Sequence, residues 1–364
     1  MEREFDMALP VNIPELLKIT TDLKEVATTP ISVSIYIDET APGALVGHVR
    51  AALASSGANA KVTIQYLDAI EVREGQNDDM ACIVAGENEG IGKMASLLRN
   101  ASIPCMVVTT DTESVAERAQ ESGYPIPEAD IIAPVRIYSS TILKIDQKLG
   151  GRLPFVKVMP DVDIADTELD DEMFKILDNR MGQWIGIACE DKKLAFALAF
   201  PFVRKPLAMD CVAASSIQNA AVGFVPFIQG ADMPIMTLNQ AKMVLQIATI
   251  YGQPLDKDRI KELAAVVGGA FLFRNVARGV AKFIPFAGWA VSGTVGYVGT
   301  EAMGRAAIEY FEAGGDIVGL AQVIQTTRDE AMKAGSAVAT SKTGSKVIGL
   351  VKDKASSLVN QQKA

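Results

Sequence analysis

The sequence has 364 residues, enough for two domains that each bury a core of their own. It carries 35 basic and 44 acidic side chains, and this net charge of −9 argues against non-specific nucleic-acid binding as the main activity. His48 is the only histidine, which excludes a multi-histidine metal site and a histidine-based catalytic triad within one chain.

The charge is unevenly distributed along the chain. Residues 1–200 carry a net charge of −14 and residues 201–364 one of +5. This asymmetry indicates a solvated first half and a second half near a membrane or an anionic partner, and two ordinary soluble domains would also produce it. The four cysteines form no CxxC pair and the amino terminus lacks secretory-signal features, so we expect a cytoplasmic protein without disulfides or a zinc site.

Between residues 31 and 133, short β-branched runs alternate with amphipathic stretches, a pattern typical of alternating strands and helices. Strands are predicted over 31–37, 62–67, 80–85, 103–109 and 130–133, and helices over 42–56, 92–100 and 111–122. Such alternation forms βαβ units and a parallel sheet. We therefore expect a Rossmann-like or flavodoxin-like α/β domain over residues 30–150, after an N-terminal extension over residues 1–29.

The loops after the strands are the candidate ligand site, because ligands of parallel sheets bind beyond the carboxyl ends of the strands. The loop after the third strand is rich in glycine and ends in Gly92-Lys93, but Met94 stands where a phosphate-binding loop needs a hydroxyl, and the spacing differs. We expect a tight turn with a solvated lysine there. The cofactor-binding candidates at this edge are Asp38, Glu39, Gly86, Gly90, Gly92 and Lys93.

Asp38, Glu39 and Thr109 are arranged along the sequence like the acidic pair and hydroxyl of a phosphoacceptor receiver domain. The essential acceptor aspartate is missing, since Ala85-Gly86 follows the third strand. No dinucleotide fingerprint follows the first strand either. We therefore expect no cofactor and no catalytic residue, and the other interpretation of Asp38 and Glu39 is negative charge at a helix start.

Residues 151–200 are predicted to be an acidic connector followed by helices. Seven acidic residues lie between positions 161 and 172, but the central glycine of a calcium loop is absent, so an acidic helix start is favoured over a metal site.

An apolar helical domain is predicted over residues 201–335, before a lysine- and serine-rich tail over 336–364. The ranges 211–231 and 283–300 are uncharged and reach the length of a membrane helix, although both contain glycine and proline. Gly296, Thr300 and Gly304 have the spacing that lets helix backbones approach closely. A basic stripe precedes the second range, and it would lie either at anionic lipid headgroups or on a solvated helix face. The stripe consists of Arg274, Arg278 and Lys282.

Asp232 is the only charged residue between Cys211 and Ala241. Its carboxylate is either a helix cap at a turn or a buried group that faces Gln240 or the basic stripe.

The order of landmarks in residues 212–312 resembles the bacterial YcjF-like family, a domain of unknown function. The landmarks are Gly223-Phe-Val-Pro226, Asp232, Thr237, Gln240, Met243, Ile247, Tyr251-Gly252, Gly268-Gly269, Arg274, Ile284-Pro285, Gly288 and the run from Thr300 to Phe311. The resemblance implies a helical domain that associates with membranes and that is often fused to Era-like GTPase domains. GTPase activity is not implied here, because this chain has no phosphate loop and no Asn-Lys-x-Asp motif. The residues expected to contact a membrane or partner are Pro226, Asp232, Gln240, Arg274, Arg278, Lys282, Pro285, Gly296 and Gly304.

Two functions remain open from the sequence. The favoured one is a non-catalytic protein at the cytoplasmic side of the cell membrane, with an α/β binding domain and a helical domain that contacts membrane lipid or a membrane protein. The alternative is a soluble ligand-binding or enzymatic α/β protein whose helices pack over the sheet. A homo-oligomer fits either one, and no nucleophile–base pair is visible to support catalysis.

Overall fold

A computed structural model of the chain describes residues 13–54, 59–67, 77–134, 169–224, 232–257, 260, 288–315 and 319–320. The backbone packs into two compact units. Thr29–Pro206 forms the first, the α/β unit, and Met1–Thr28 with Leu207–Ala364 forms the second, the helical unit. The N-terminal segment, predicted as a separate extension, groups with the C-terminal helices. Residues 169–206, predicted to belong to a connector and to the helical domain, group with the sheet.

The α/β unit contains a five-stranded parallel sheet, as predicted. Its strands are β1 (Ile31–Ile37), β2 (Ala60–Tyr66), β3 (Met80–Val84), β4 (Cys105–Val108) and β5 (Ile131–Ile132). The strand order is β2-β1-β3-β4-β5, and every neighbouring pair is parallel. The predicted α/β class is therefore confirmed.

Strands β3 and β2 differ in burial. All five residues of the central strand β3 are buried, since both of its faces are covered, and its sequence is accordingly a continuous apolar run. The edge strand β2 instead exposes Lys61, Ile64 and Tyr66. Strand β2 therefore exposes part of its surface, including two apolar side chains, whereas β3 exposes none.

The helices follow in chain order. They are α1 (Ile13–Ala27), α2 (Gly43–Ala52), α3 (Ile91–Asn100), α4 (Thr112–Glu121), α5 (Asp171–Ala188), α6 (Lys193–Ala199), α7 (Arg204–Phe224), α8 (Asp232–Ile250) and α9 (Gly288–Glu312). Asp111 caps α4 by accepting a hydrogen bond from the Ser114 N–H at 3.0 Å.

Helix α5 is an integral part of the α/β unit. Its first turn is capped by Asp170, whose side chain accepts a 2.8 Å hydrogen bond from the Met173 N–H. The Trp184 indole N–H donates to Asp130 at 2.9 Å, which ties α5 to the residue before β5. His48 of α2 lies 2.7 Å from the Asp178 carboxylate and stacks on the Phe174 ring at 4.2 Å. The predicted acidic helix start is therefore observed at residues 170–172, and the more N-terminal acidic residues lie outside the described part of the chain.

The helical unit contains α1, α8, α9 and most of α7. The Lys242 ammonium on α8 pairs with the Glu15 carboxylate on α1 at 2.7 Å, which joins the N-terminal helix to this unit. Each of the two uncharged ranges in the sequence is described only in part, because residues 225–231 of the first and 283–287 of the second lie outside the described part of the chain. Over the ranges that are described, no helix combines the length and the apolar character that crossing a membrane requires.

Candidate functional site

The strand order reverses between β1 and β3. From β1 the chain moves outward to β2, then crosses back so that β3 pairs with the other side of β1. In open parallel sheets, ligands bind at such a reversal, beyond the carboxyl ends of the strands. Asp38 directly follows β1 and Gly86 lies two residues after β3, so these two predicted candidates fall at this position.

The Asp38 carboxylate is the centre of the site. Its Oδ2 atom accepts hydrogen bonds from the Gly86 N–H at 2.7 Å and the Asn88 N–H at 3.1 Å. Its Oδ1 atom accepts from the Thr40 N–H at 2.9 Å and the Thr40 hydroxyl at 2.8 Å. The side chain belongs to a residue that is only 1% exposed. Three backbone amides and one hydroxyl therefore converge on a single buried anion.

These hydrogen bonds decide the ionisation of Asp38. Burial by itself raises the pKa of a carboxyl group, because it disfavours the charged form. The hydrogen bonds from Thr40, Asn88 and Gly86 stabilise the charged form and outweigh burial, so the pKa of Asp38 lies below its ordinary value of 3.8. Asp38 is consequently a carboxylate at neutral pH.

Gly86 is required here by close approach of two loops. A Cβ atom at this position would lie 2.5 Å from the Ala41 backbone nitrogen and would also overlap the Thr40 hydroxyl. The Glu87 N–H donates to that same hydroxyl at 2.6 Å. The loop after β1 and the loop after β3 are therefore joined directly, with Asp38 and Thr40 as the link.

The other predicted candidates do not meet at Asp38. The Gly90 N–H donates to the Asn88 side chain at 2.7 Å, within its own turn. Gly92 packs against the turn after α4, where a Cβ atom would lie 2.7 Å from the Tyr124 carbonyl oxygen. Glu39 and Lys93 are exposed. The structure thus assigns Gly90 and Gly92 to the turn and to helix packing.

Three residues of the site were not predicted. Thr40 and Asn88 donate hydrogen bonds to the Asp38 carboxylate. The Arg118 guanidinium donates to the Gly86 carbonyl oxygen at 2.7 Å. The Asp-x-Thr spacing could have indicated Thr40, since aspartate commonly bonds to the backbone two residues on. Arg118 lies 32 residues from Gly86, and no local pattern connects the two.

Thr109 has a local role at the end of β4. Its hydroxyl accepts a hydrogen bond from the Asp111 N–H at 3.1 Å and so shapes the turn before α4. Within the described ranges, histidine, cysteine, aspartate and glutamate side chains nowhere form a group of three or more that could hold a metal ion.

The helical unit contains a buried polar network between three helices. The Thr300 hydroxyl on α9 accepts from the Asn219 amide on α7 at 2.9 Å and from the Gln240 amide on α8 at 3.0 Å. It donates to the Gly296 carbonyl oxygen at 2.7 Å. The exposed fractions of Asn219, Gln240 and Thr300 are 0%, 2% and 0%. Gln240, predicted to contact a membrane or partner, therefore lies inside the helical unit.

Two predicted glycines let α9 approach α7 closely. A Cβ atom on Gly296 would lie 3.0 Å from the Asn219 carbonyl oxygen, and one on Gly304 would overlap the Val212 side chain. Asp232 is the first residue of α8. Pro226, Arg274, Arg278, Lys282 and Pro285 lie outside the described residues.

Comparison of the chain with protein-family models, with curated proteins and with solved structures gives no match.

Proposed function

We propose that the chain is a non-catalytic binding protein with a Rossmann-like or flavodoxin-like α/β unit and a helical unit that associates with a membrane. The observation that carries this proposal is the position of the Asp38 carboxylate. At the strand reversal, this carboxylate accepts hydrogen bonds from the backbone amides that would otherwise bind an anionic cofactor.

An external phosphate would have to displace this carboxylate. Asp38 is tethered to β1, almost fully buried, and bound by four hydrogen bonds, so the displacement would leave a buried charge without partners. Two further acidic residues, Glu87 and Glu89, lie in the loop after β3 and would repel a phosphate. These features favour recognition of a partner by the surface of the α/β unit over binding of a nucleotide at its edge.

The helical unit supports the membrane part of the proposal. Close contacts at Gly296 and Gly304, combined with side-chain hydrogen bonds between helices, are typical of helices that pack in membranes. The resemblance of residues 212–312 to the YcjF-like family and the basic stripe at residues 274–282 agree with this. The proposed location is the cytoplasmic side of the cell membrane, with membrane lipid or a membrane protein as the partner.

The first experiment tests the α/β unit. The full chain is titrated with ATP, GTP, NAD and inorganic phosphate while its thermal unfolding is recorded, because a ligand that binds the folded state raises the melting temperature. We expect no saturable shift with any of them. A saturable shift that disappears in Arg118→Gln would contradict the proposal, since Arg118 contacts the Asp38 site through Gly86.

The second experiment tests membrane association. Cells that express the full chain are fractionated, and the membranes are washed with salt, alkali or detergent. One variant reverses the charge of the basic stripe, and a control variant reverses three exposed charges elsewhere. The stripe residues are Arg274, Arg278 and Lys282, each changed to Glu. The control residues are Lys18, Arg50 and Lys61, each changed to Glu.

We expect the native chain and the control variant to pellet with membranes and the stripe variant to be released. Recovery of the native chain in the soluble fraction, without detergent, would contradict the membrane part of the proposal. The ligand titration and the membrane fractionation are independent, so the binding part and the membrane part of the proposal can fail separately.

A further inference from the structure

The two edge strands of the sheet differ in how they are protected from further pairing. Strand β5 has only two residues, and both are buried. Strand β2 has seven residues and pairs with β1 over its whole length without a bulge. Among the described residues, no strand pairs with its other side. Proteins usually protect an edge strand by shortness, proline, bulges or charges, and of these β2 has only the charge of Lys61.

The backbone groups of β2 point alternately toward β1 and away from the sheet. The Ile31 N–H donates to the Asn59 carbonyl oxygen at 2.9 Å, and in a parallel pair this bond sets the direction of the groups that follow. Every second residue of β2 therefore directs its N–H and C=O groups outward, where a further strand could bind them. The outward-directed residues are Ala60, Val62, Ile64 and Tyr66.

The side chains of β2 form one apolar and one polar face. The four outward-directed residues share a face, because successive side chains of a strand alternate between the two sides of the sheet. Ile64 and Tyr66 on this face are 44% and 52% exposed. The opposite face carries Lys61, Thr63 and Gln65. A second strand therefore has to match both faces to pair well with β2.

We propose that two copies of the chain associate by antiparallel pairing of their β2 strands about a two-fold axis at Thr63. Only outward-directed residues can exchange backbone hydrogen bonds with a partner strand. Pairing centred on Thr63 places each of them opposite another outward-directed residue, and it includes all seven residues of β2. The same surface then serves both copies, as a two-fold interface requires.

The apolar face is complementary to itself in this register. Val62 lies opposite the partner's Ile64, and Ala60 lies opposite the partner's Tyr66. A small side chain thus faces a large one, and two β-branched side chains face each other, which stabilises a strand pair. The exposed surface of Ile64 and Tyr66 is partly covered in the dimer.

The polar face is complementary as well. Lys61 lies opposite the partner's Gln65, so the one charge of β2 meets no like charge. Thr63 lies opposite the partner's Thr63, and threonine pairs across strands are favourable. Shifted registers that keep the hydrogen bonding pair fewer residues, and one of them places Lys61 opposite the partner's Lys61, which is unfavourable. This inference is independent of the proposed function, which involves neither β2 nor a second copy.

The first test is a disulfide at the two-fold axis. Thr63 and the partner's Thr63 form a non-hydrogen-bonded pair with Cα atoms about 4.5 Å apart, which lies within the range of a disulfide. Thr63→Cys in the full chain should therefore give a covalent dimer on mild oxidation, detected by gel electrophoresis without reductant. Lys61→Cys is the matched control on the same face, because its two copies would be about 14 Å apart.

The native chain under the same oxidant gives the background from its four cysteines, three of which are buried. We expect a covalent dimer as the main product of Thr63→Cys and only traces from the native chain and Lys61→Cys. Equal cross-linking of the two variants would overturn the proposed register.

The second test measures the non-covalent dimer by sedimentation velocity of the full chain over a range of concentrations. We expect a species of twice the 38.8 kDa mass of one chain. Gln65→Lys places like charges opposite Lys61 at both ends of the pair, and Gln65→Glu places opposite charges there. The dimer Kd of Gln65→Lys should therefore exceed that of Gln65→Glu by at least about fivefold.

A double variant, Lys61→Glu with Gln65→Lys, should restore the tighter association, because it reverses both members of the charge pair. Circular dichroism verifies that each variant folds. The proposal is overturned if the native chain is a monomer at every concentration, which would leave the β2 edge to a strand of a different protein. It is also overturned if Gln65→Lys and Gln65→Glu dimerise alike.

Discussion

The carboxylate of Asp38 accepts a 2.7 Å hydrogen bond from the backbone N–H of Gly86, a residue 48 positions further along the chain. This bond connects the loops after β1 and β3, the two strands between which the strand order reverses. In a cofactor-binding sheet, such amides face the ligand. Here the protein supplies the anion itself, and several consequences for stability can be measured.

Substitution of Gly86 by alanine should destabilise the fold. The new Cβ atom would lie 2.5 Å from the Ala41 nitrogen, so the two loops would have to move apart. We expect a loss of about 1–3 kcal/mol in the free energy of unfolding, measured by denaturation in urea. Gly47→Ala in α2 is the control, because its Cβ atom would meet nothing within 4 Å and should add up to about 1 kcal/mol. Equal stability of the two variants would show that the loops do not require a glycine.

The stability contributed by Asp38 should depend on pH in the acid range. Its folded-state pKa lies below the ordinary value of 3.8, so the folded state favours the charged form. The contribution is therefore present above pH 3.8 and is lost as the pH falls through the folded-state pKa. Asp38→Asn should lower the free energy of unfolding at pH 7 by about 1–3 kcal/mol and should flatten the dependence on pH below 4.

The control for this measurement is Glu39→Gln. Glu39 carries the same charge on the adjacent, exposed position, so its substitution should change stability by less than about 0.5 kcal/mol. If Asp38→Asn retains the full acid dependence of the native chain, the hydrogen bonds to Asp38 do not control its ionisation.

Thr300 should contribute more to stability than a comparable buried threonine. Thr300→Val removes the acceptor of two buried amide donors, those of Asn219 and Gln240, and should cost about 1–3 kcal/mol. Thr249→Val is the matched control, since the Thr249 hydroxyl donates only to the Leu245 carbonyl oxygen in the same helix. Thermal and urea denaturation of both variants give the comparison. A network without energetic importance would make the two losses equal.

Close packing of α9 on α7 can be tested at two glycines of α9. A Cβ atom on Gly304 would overlap Val212, whereas one on Gly299 would meet nothing within 4 Å. Gly304→Ala should therefore destabilise the helical unit by about 1–3 kcal/mol, and Gly299→Ala should stabilise it by up to about 1 kcal/mol. Hydrogen exchange of the α9 amides measures the effect locally. Stabilisation by both substitutions would contradict the close contact at Gly304.

Much of the α/β unit could be predicted from local sequence. The apolar run of β3 and the alternating strand and helix patterns give the parallel sheet, because hydrophobic periodicity reports secondary structure over short windows. The aspartate caps of α4 and α5 follow from equally local rules. The position of Asp38 at the carboxyl edge also follows from the end of β1.

Only the tertiary structure decided what these residues contact. The hydrogen bonds that Asp38 accepts from Gly86 and Asn88 depend on β1 and β3 being neighbours, and the Lys192–Asp79 pair joins residues 113 positions apart. Thr300 meets Asn219 across 81 positions, where the sequence indicated only small residues at helical spacing. Local patterns specify which residues are buried on one element, whereas pairing between elements depends on their order and register in space.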